Sequence, residues 1–192
     1  MNRLGYLAVE ASAAVLFFPL YYFLNRRYIR NARKSILFCL LSCYLAALYA
    51  LTGLPNITYT CFEPNLNLIP FAGMLRDLKN SILNVCMFVP LGIFLPILVK
   101  NCRSLPGTLS RSLFVSLFIE GMQVFSGRAT DVNDILTNAL GAVIGFVIIK
   151  RIPGFYLRLP SSRKEMALVF AISFLLMFFL QPIFTNLIWL LL

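Results

Sequence analysis

Ser112-Leu-Phe-Val-Ser116-Leu-Phe-Ile-Glu120-Gly-Met-Gln123-Val-Phe-Ser-Gly127 is the stretch on which the fold turns. It is apolar enough to enter a lipid bilayer, yet it carries a carboxylate. Ser112, Ser116, Glu120, Gln123 and Gly127 recur at steps of three or four, so a helix puts them on one face. A carboxylate at the centre of a membrane helix costs about 2.5–3.5 kcal/mol on insertion scales. That stripe therefore faces other helices or a water-filled cavity rather than lipid. Glu120 lies about 14 Å of helix from Arg111 and about 10 Å from Gly127. The 15 residues between those two span about 22 Å, short of a hydrocarbon core of about 30 Å. A short polar-striped segment of this kind packs centrally among longer ones.

The rest of the chain supplies the longer ones. Of its 192 residues, 60% are apolar and 12% charged, where soluble domains carry about 25% charged residues. That excludes disorder and an ordinary soluble domain, and gives an all-α, polytopic transmembrane helical bundle in the lipid bilayer of the cell membrane. The net charge of +10 would point to nucleic acid in a soluble protein. Here the basic residues fill the gaps between apolar runs, so no nucleic-acid partner is expected. The chain has no histidine, and its five cysteines form no CxxC pair. No metal site, disulfide framework or cofactor is expected.

Six segments, near 5–24, 35–54, 81–99, 109–126, 131–149 and 166–188, are long and apolar enough to read as spans. The first lacks a signal-peptide cleavage site and runs straight into Asn25-Arg26-Arg27. Lysine and arginine concentrate in alternate connections: 25–34, 100–111 and 150–165 hold 13 of the 17 basic residues. By the positive-inside rule these loops are cytoplasmic and both termini lie outside. Three parts follow: two N-terminal helices over 1–60, a central membrane domain over 61–152, and a cytoplasmic linker with a C-terminal helix over 153–192. Between 55 and 80 lies the one long outside connection. Phe71, Met74, Leu75 and Leu78 fall at helical spacing there, as in an interfacial amphipathic helix. Glu10, Tyr21, Tyr22 and Trp189 fit interfacial positions.

The other misplaced polar residues sit at the same level. Asp131, Asp134 and Asn138 open the fifth segment at steps of three and four, and Gly141 and Gly145 continue that face as a GxxxG pattern that lets a helix approach closely. Asn84 lies one turn into the third segment, which Pro90, Gly92 and Pro96 then interrupt. With the topology above, Asn84, Glu120, Gln123, Asp131, Asp134 and Asn138 form one polar cluster in the outer half of the membrane, and these are the candidate ligand-binding residues. Plainer roles exist for some. Asp131 and Asp134 suit a helix N-terminus, worth about 0.3–1 kcal/mol per charge, and Asn84 and Asn138 suit helix–helix hydrogen bonds.

Asn65-Leu-Asn-Leu-Ile-Pro-Phe71, Asn84-x3-Phe88-Val-Pro-Leu-Gly92, Glu120-x2-Gln123 and Gly127-Arg-Ala-Thr-Asp-Val-Asn-Asp134-x3-Asn138-x2-Gly141-x3-Gly145 occur in that order. This ordered set, over about residues 65–150, resembles the VanZ-like family of bacterial membrane proteins. The resemblance implies a link to resistance to the glycopeptide teicoplanin, and marks Asn84, Glu120, Gln123, Asp131, Asp134 and Asn138 as signature positions without assigning them a reaction.

Three functions follow as expectations. The first is an envelope-facing protein whose cluster binds a cationic or polyol-bearing group of a lipid-linked cell-wall intermediate or a glycopeptide. The second is an intramembrane enzyme in which Glu120 and an aspartate divide acid and base roles; no serine or cysteine nucleophile paired with a base accompanies them. The third is a small ion-coupled transporter or assembly subunit, since intramembrane carboxylates mark ion paths.

Overall fold

A computed structural model describes residues 19, 22–23, 26–27, 31–71, 77–152, 154, 156 and 160–191. The first apolar segment with Glu10 and Tyr21, the centre of the amphipathic stretch at 72–76, and the side chain of Trp189 lie outside the described residues. The described chain is mostly helical. In order it runs α1 (Ala32–Thr52), β1 (Leu66–Asn67), α2 (Leu78–Leu98), a 3-10 turn (Lys100–Cys102), α3 (Leu105–Gln123), β2 (Thr130–Asp131), α4 (Val132–Lys150), α5 (Arg163–Leu175), a π turn (Leu176–Leu180) and α6 (Gln181–Leu191).

Among the described residues four helices are long and apolar enough to cross a membrane: α1, α2, α4 and the run Arg163–Leu187. α3, the fourth of the six expected segments, is a helix of 19 residues but falls short on apolarity. Thr108, Ser112, Ser116, Glu120 and Gln123 lower it, and all five are buried. The polar face is turned inward, as the cost of exposing it to lipid requires.

The chain divides into two compact units. One joins the described residues before Cys61 to those from Arg163 onward. Asn31 caps α1 by accepting from the Lys34 backbone N–H at 3.1 Å, and Gly53 ends it in the left-handed conformation at φ 61°. α1 packs on α5. The Tyr49 and Phe174 rings meet edge to face at 5.8 Å, and Lys34 pairs with both carboxylate oxygens of Glu165 at 2.7 Å. Both residues are in the first turn of their helices, so α1 and α5 begin at the same end of this unit.

The other unit, Cys61–Ser162, holds α2, α3 and α4 among its described residues. α2 supplies Phe88, Leu91, Leu95 and Leu98 to its core, and α4 supplies Ala142, Phe146 and Ile149. Gly92, Gly141 and Gly145 let these two helices meet backbone to backbone. A β-carbon at Gly141 would collide with the Val85 carbonyl, one at Gly145 with the Val89 carbonyl, and one at Gly92 with the Ala142 carbonyl. The order of these contacts, Val85 with Gly141 and Val89 with Gly145, makes α2 and α4 parallel. α3 runs in the opposite direction beside this pair and packs mainly on α4.

The loops pair too. β1 and β2 are parallel, with Leu66 opposite Thr130 and Asn67 opposite Asp131, and an isolated parallel bridge joins Cys61 to Ser126. This two-residue ladder is absent from the all-α expectation. It fastens the 61–71 connection along the turn between α3 and α4.

Candidate functional site

The N-terminal ends of α2 and α4 and the C-terminal end of α3 come together in the Cys61–Ser162 unit. α4 begins at Asp131 because its side chain accepts the Asn133 backbone N–H at 2.8 Å, an N-cap bond. The turn before it is built on Gln123, whose carbonyl accepts the Ser126 and Arg128 backbone N–H groups at 3.0 and 3.3 Å. Gly127 closes the turn at φ 65°, a conformation that costs glycine little and a side chain more.

Glu120 is 3% exposed. Its Oε2 accepts the Asp131 backbone N–H at 2.9 Å, and its own carbonyl accepts the Thr130 hydroxyl at 2.9 Å. One residue of α3 thus holds both residues of β2. Asp131 turns its other oxygen, Oδ2, to the Asn67 side-chain amide at 3.0 Å. Asn133 Oδ1 accepts the Phe71 backbone N–H at 2.6 Å. Phe71 is the one non-glycine residue at positive φ, 64°, among the described residues. Such a residue costs about 1–3 kcal/mol and persists where its surroundings over-determine it.

Asp134, in the first turn of α4, accepts a hydrogen bond from the Asn84 side chain of α2. Asp131, Asp134 and Arg128 all act on Glu120 electrostatically. Glu120, Asp131 and Asp134, with Asp77 at the start of α2 acting on Asp134, thus gather near the Arg128 guanidinium, and the partial positive charge of two helix N-termini offsets part of the repulsion. Glu120 is buried, whereas Asn84, Asp131 and Asp134 are half-buried and Arg128 is exposed. Ligand-capable oxygens thus stand at the rim with one carboxylate behind them.

The remaining two candidates lie behind this rim, both buried. Gln123 is buried and builds the turn through its backbone. Asn138 is one turn deeper than Asp134 and donates from its amide to Ser116 Oγ at 2.9 Å, tying α4 to α3. Its carbonyl oxygen and the Ser112 hydroxyl, both buried, have no protein partner. A buried polar group left unpaired costs about 1–3 kcal/mol. Among the described residues no group of three cysteine, aspartate or glutamate side chains is arranged to hold a metal ion.

Sequence reasoning did not select Asn67, Thr130, Asn133 or Ser116. Asn67 stands in the Asn65–Phe71 block and Ser116 on the polar stripe, so both were signalled, but not their partners. At the opposite end, Thr108 donates to the Cys102 carbonyl at 2.6 Å. Burial pushes the Cys102 thiol up to about 11, against a smaller opposing effect of Arg111.

Among relatives, the chain is 34% identical over 84 residues to Protein VanZ of Enterococcus faecium. The match covers 43% of this chain and 51% of that protein, so the chain spans about half the length of the curated relative it matches. No solved structure matches. The VanZ/LLP1 family matches residues 41–153, which include every residue of the cluster described above. With more than half of its length matched, the chain belongs to the VanZ/LLP1 family.

Proposed function

We propose that the polar cluster of the Cys61–Ser162 unit binds a cell-envelope ligand at the outer face of the cell membrane, and that this binding lowers susceptibility to the glycopeptide teicoplanin. The group recognised is cationic or polyol-bearing, as in a lipid-linked cell-wall intermediate or the glycopeptide itself. Asn84, Asp131 and Asp134 contact it, and Glu120, Gln123 and Asn138 stand behind them. One observation carries this reading: Glu120, Asp131 and Asp134 converge with Asn84 where α2 and α4 begin, and the last three are partly open. Carboxylates so placed accept charge-assisted hydrogen bonds from ammonium or hydroxyl groups. The outward orientation rests on the positive-inside rule, with the chain crossing the membrane several times and both termini outside. The Lys34–Glu165 pair supports it: α1 and α5 begin at the same end of their unit, and the sequence before each is strongly basic.

The test is the teicoplanin susceptibility of a sensitive host expressing the whole chain, Glu120→Ala or Asp134→Asn. The chain is expected to raise the inhibitory concentration and each variant to return it to that of the host. A host unchanged by the parent chain contradicts the proposal.

The contrast between buried Glu120 and half-buried Asp134 favours a second reading, an intramembrane enzyme whose two carboxylates divide acid and base roles. Purified protein then turns over a lipid-linked cell-wall intermediate and loses that turnover in Glu120→Gln. No turnover across such lipids sinks this reading.

A further inference from the structure

The polar face of α3 does not end at Glu120. Thr108, Ser112 and Ser116 precede it at four-residue steps, and each is 0% exposed. The stripe runs about 18 Å, most of the length of the helix. Two observations show that it is more than small residues packed closely. Ser112 Oγ and Asn138 Oδ1 are buried without a protein partner. Asn138 is also anchored to the stripe, because its amide donates to Ser116 Oγ at 2.9 Å. Hydroxyls one turn apart are separated by a rise of about 6 Å. One water between them closes that distance with two hydrogen bonds of about 2.8 Å each. A buried water needs two to four polar partners. The Ser112 hydroxyl, the Ser116 hydroxyl and the Asn138 carbonyl supply three. The same rise separates Ser116 from Glu120 and Thr108 from Ser112.

We propose that this stripe is an internal hydrated track that relays protons between Glu120 and the Lys100–Cys102 end of the unit. A proton leaves hydronium at that end, where Lys100 and Asn101 are exposed and Arg111 is tied back to the Gly107 carbonyl at 2.9 Å. It passes along Thr108, Ser112, Ser116 and the waters between them, each oxygen gaining one O–H bond and losing one. It ends as an O–H bond on the Glu120 carboxylate. Asp131, Asp134 and Arg128 are the charged groups acting on Glu120 from the other side. The half-buried aspartates give the proton an exit to water. The proposal stands apart from the ligand reading, since it needs the carboxyl and the track but no ligand.

The experiment uses the full chain in neutral phospholipid vesicles containing a trapped pH dye, with the membrane potential clamped by valinomycin and potassium. After an external acid jump, the internal pH is expected to follow faster than in protein-free vesicles. Glu120→Gln and Ser112→Val are expected to fall to the protein-free rate. Ser112→Thr, the same size as valine but with its hydroxyl, keeps the parent rate. So does Gly121→Ala, whose added methyl meets nothing within 4 Å. A parent chain no faster than protein-free vesicles overturns the proposal, as do equal rates in Ser112→Val and Ser112→Thr. If the Ser112 variants fail to fold, the comparison of the parent chain with Glu120→Gln decides alone: equal rates refute the track.

Discussion

Glu120 does its structural work through one oxygen, which accepts the Asp131 backbone N–H at the start of α4. A glutamine there keeps an acceptor oxygen and removes the charge. An alanine leaves the N–H unpaired in a mostly buried setting, at a cost of about 1–3 kcal/mol. Thermal unfolding in detergent is therefore expected to show Glu120→Gln close to the parent chain and Glu120→Ala destabilised by that amount. Equal destabilisation of both would mean that the bond does not hold the turn. Glu120 was legible because a carboxylate in an apolar run is in the wrong solvent, and cost alone turns it inward. Asn67 was not. An asparagine in a loop violates nothing, and its bond to Asp131, 64 residues away, exists only because β1 pairs with β2.

At the scale of elements, the contact of α2 with α4 organises the unit. Its closeness depends on glycines that face backbone, so a methyl at Gly141 or Gly145 meets a carbonyl that cannot move aside cheaply. Overpacking of this kind costs about 1–3 kcal/mol. Gly141→Ala and Gly145→Ala are expected to lower the unfolding midpoint in detergent. Gly121→Ala, in open space, is expected to hold or raise it, since alanine is the better helix former by up to about 1 kcal/mol. An unchanged midpoint in Gly145→Ala would contradict the close packing. The GxxxG spacing announced a close approach but not the partner, which Val85, Val89 and Gly92 of α2 provide. Helix positions were readable from apolar length. The two-residue ladder was not, because two residues carry no period. Nor was the π turn that continues α5 into α6, since a single wider turn leaves no mark on an otherwise apolar run.

For the whole molecule, the solvent was legible first, from the scarcity of charge between long apolar runs. Of the six expected segments, the first lies outside the described residues and α3 spends its polar residues on the interior, which leaves four clear candidates. In the Cys61–Ser162 unit, α3 runs antiparallel to the parallel pair α2 and α4, with Lys100 before its first turn and Arg128 after its last. In the proposed orientation the Arg128 end, with Asn84, Asp131 and Asp134, lies outside the cell. Its most direct test is labelling by a membrane-impermeant maleimide in cells expressing Arg128→Cys or Lys100→Cys, each against the parent chain as baseline. Both residues are exposed. Arg128→Cys is expected to label in intact cells and Lys100→Cys only after permeabilisation. The reverse pattern would turn the cluster toward the cytoplasm and contradict an envelope-facing site.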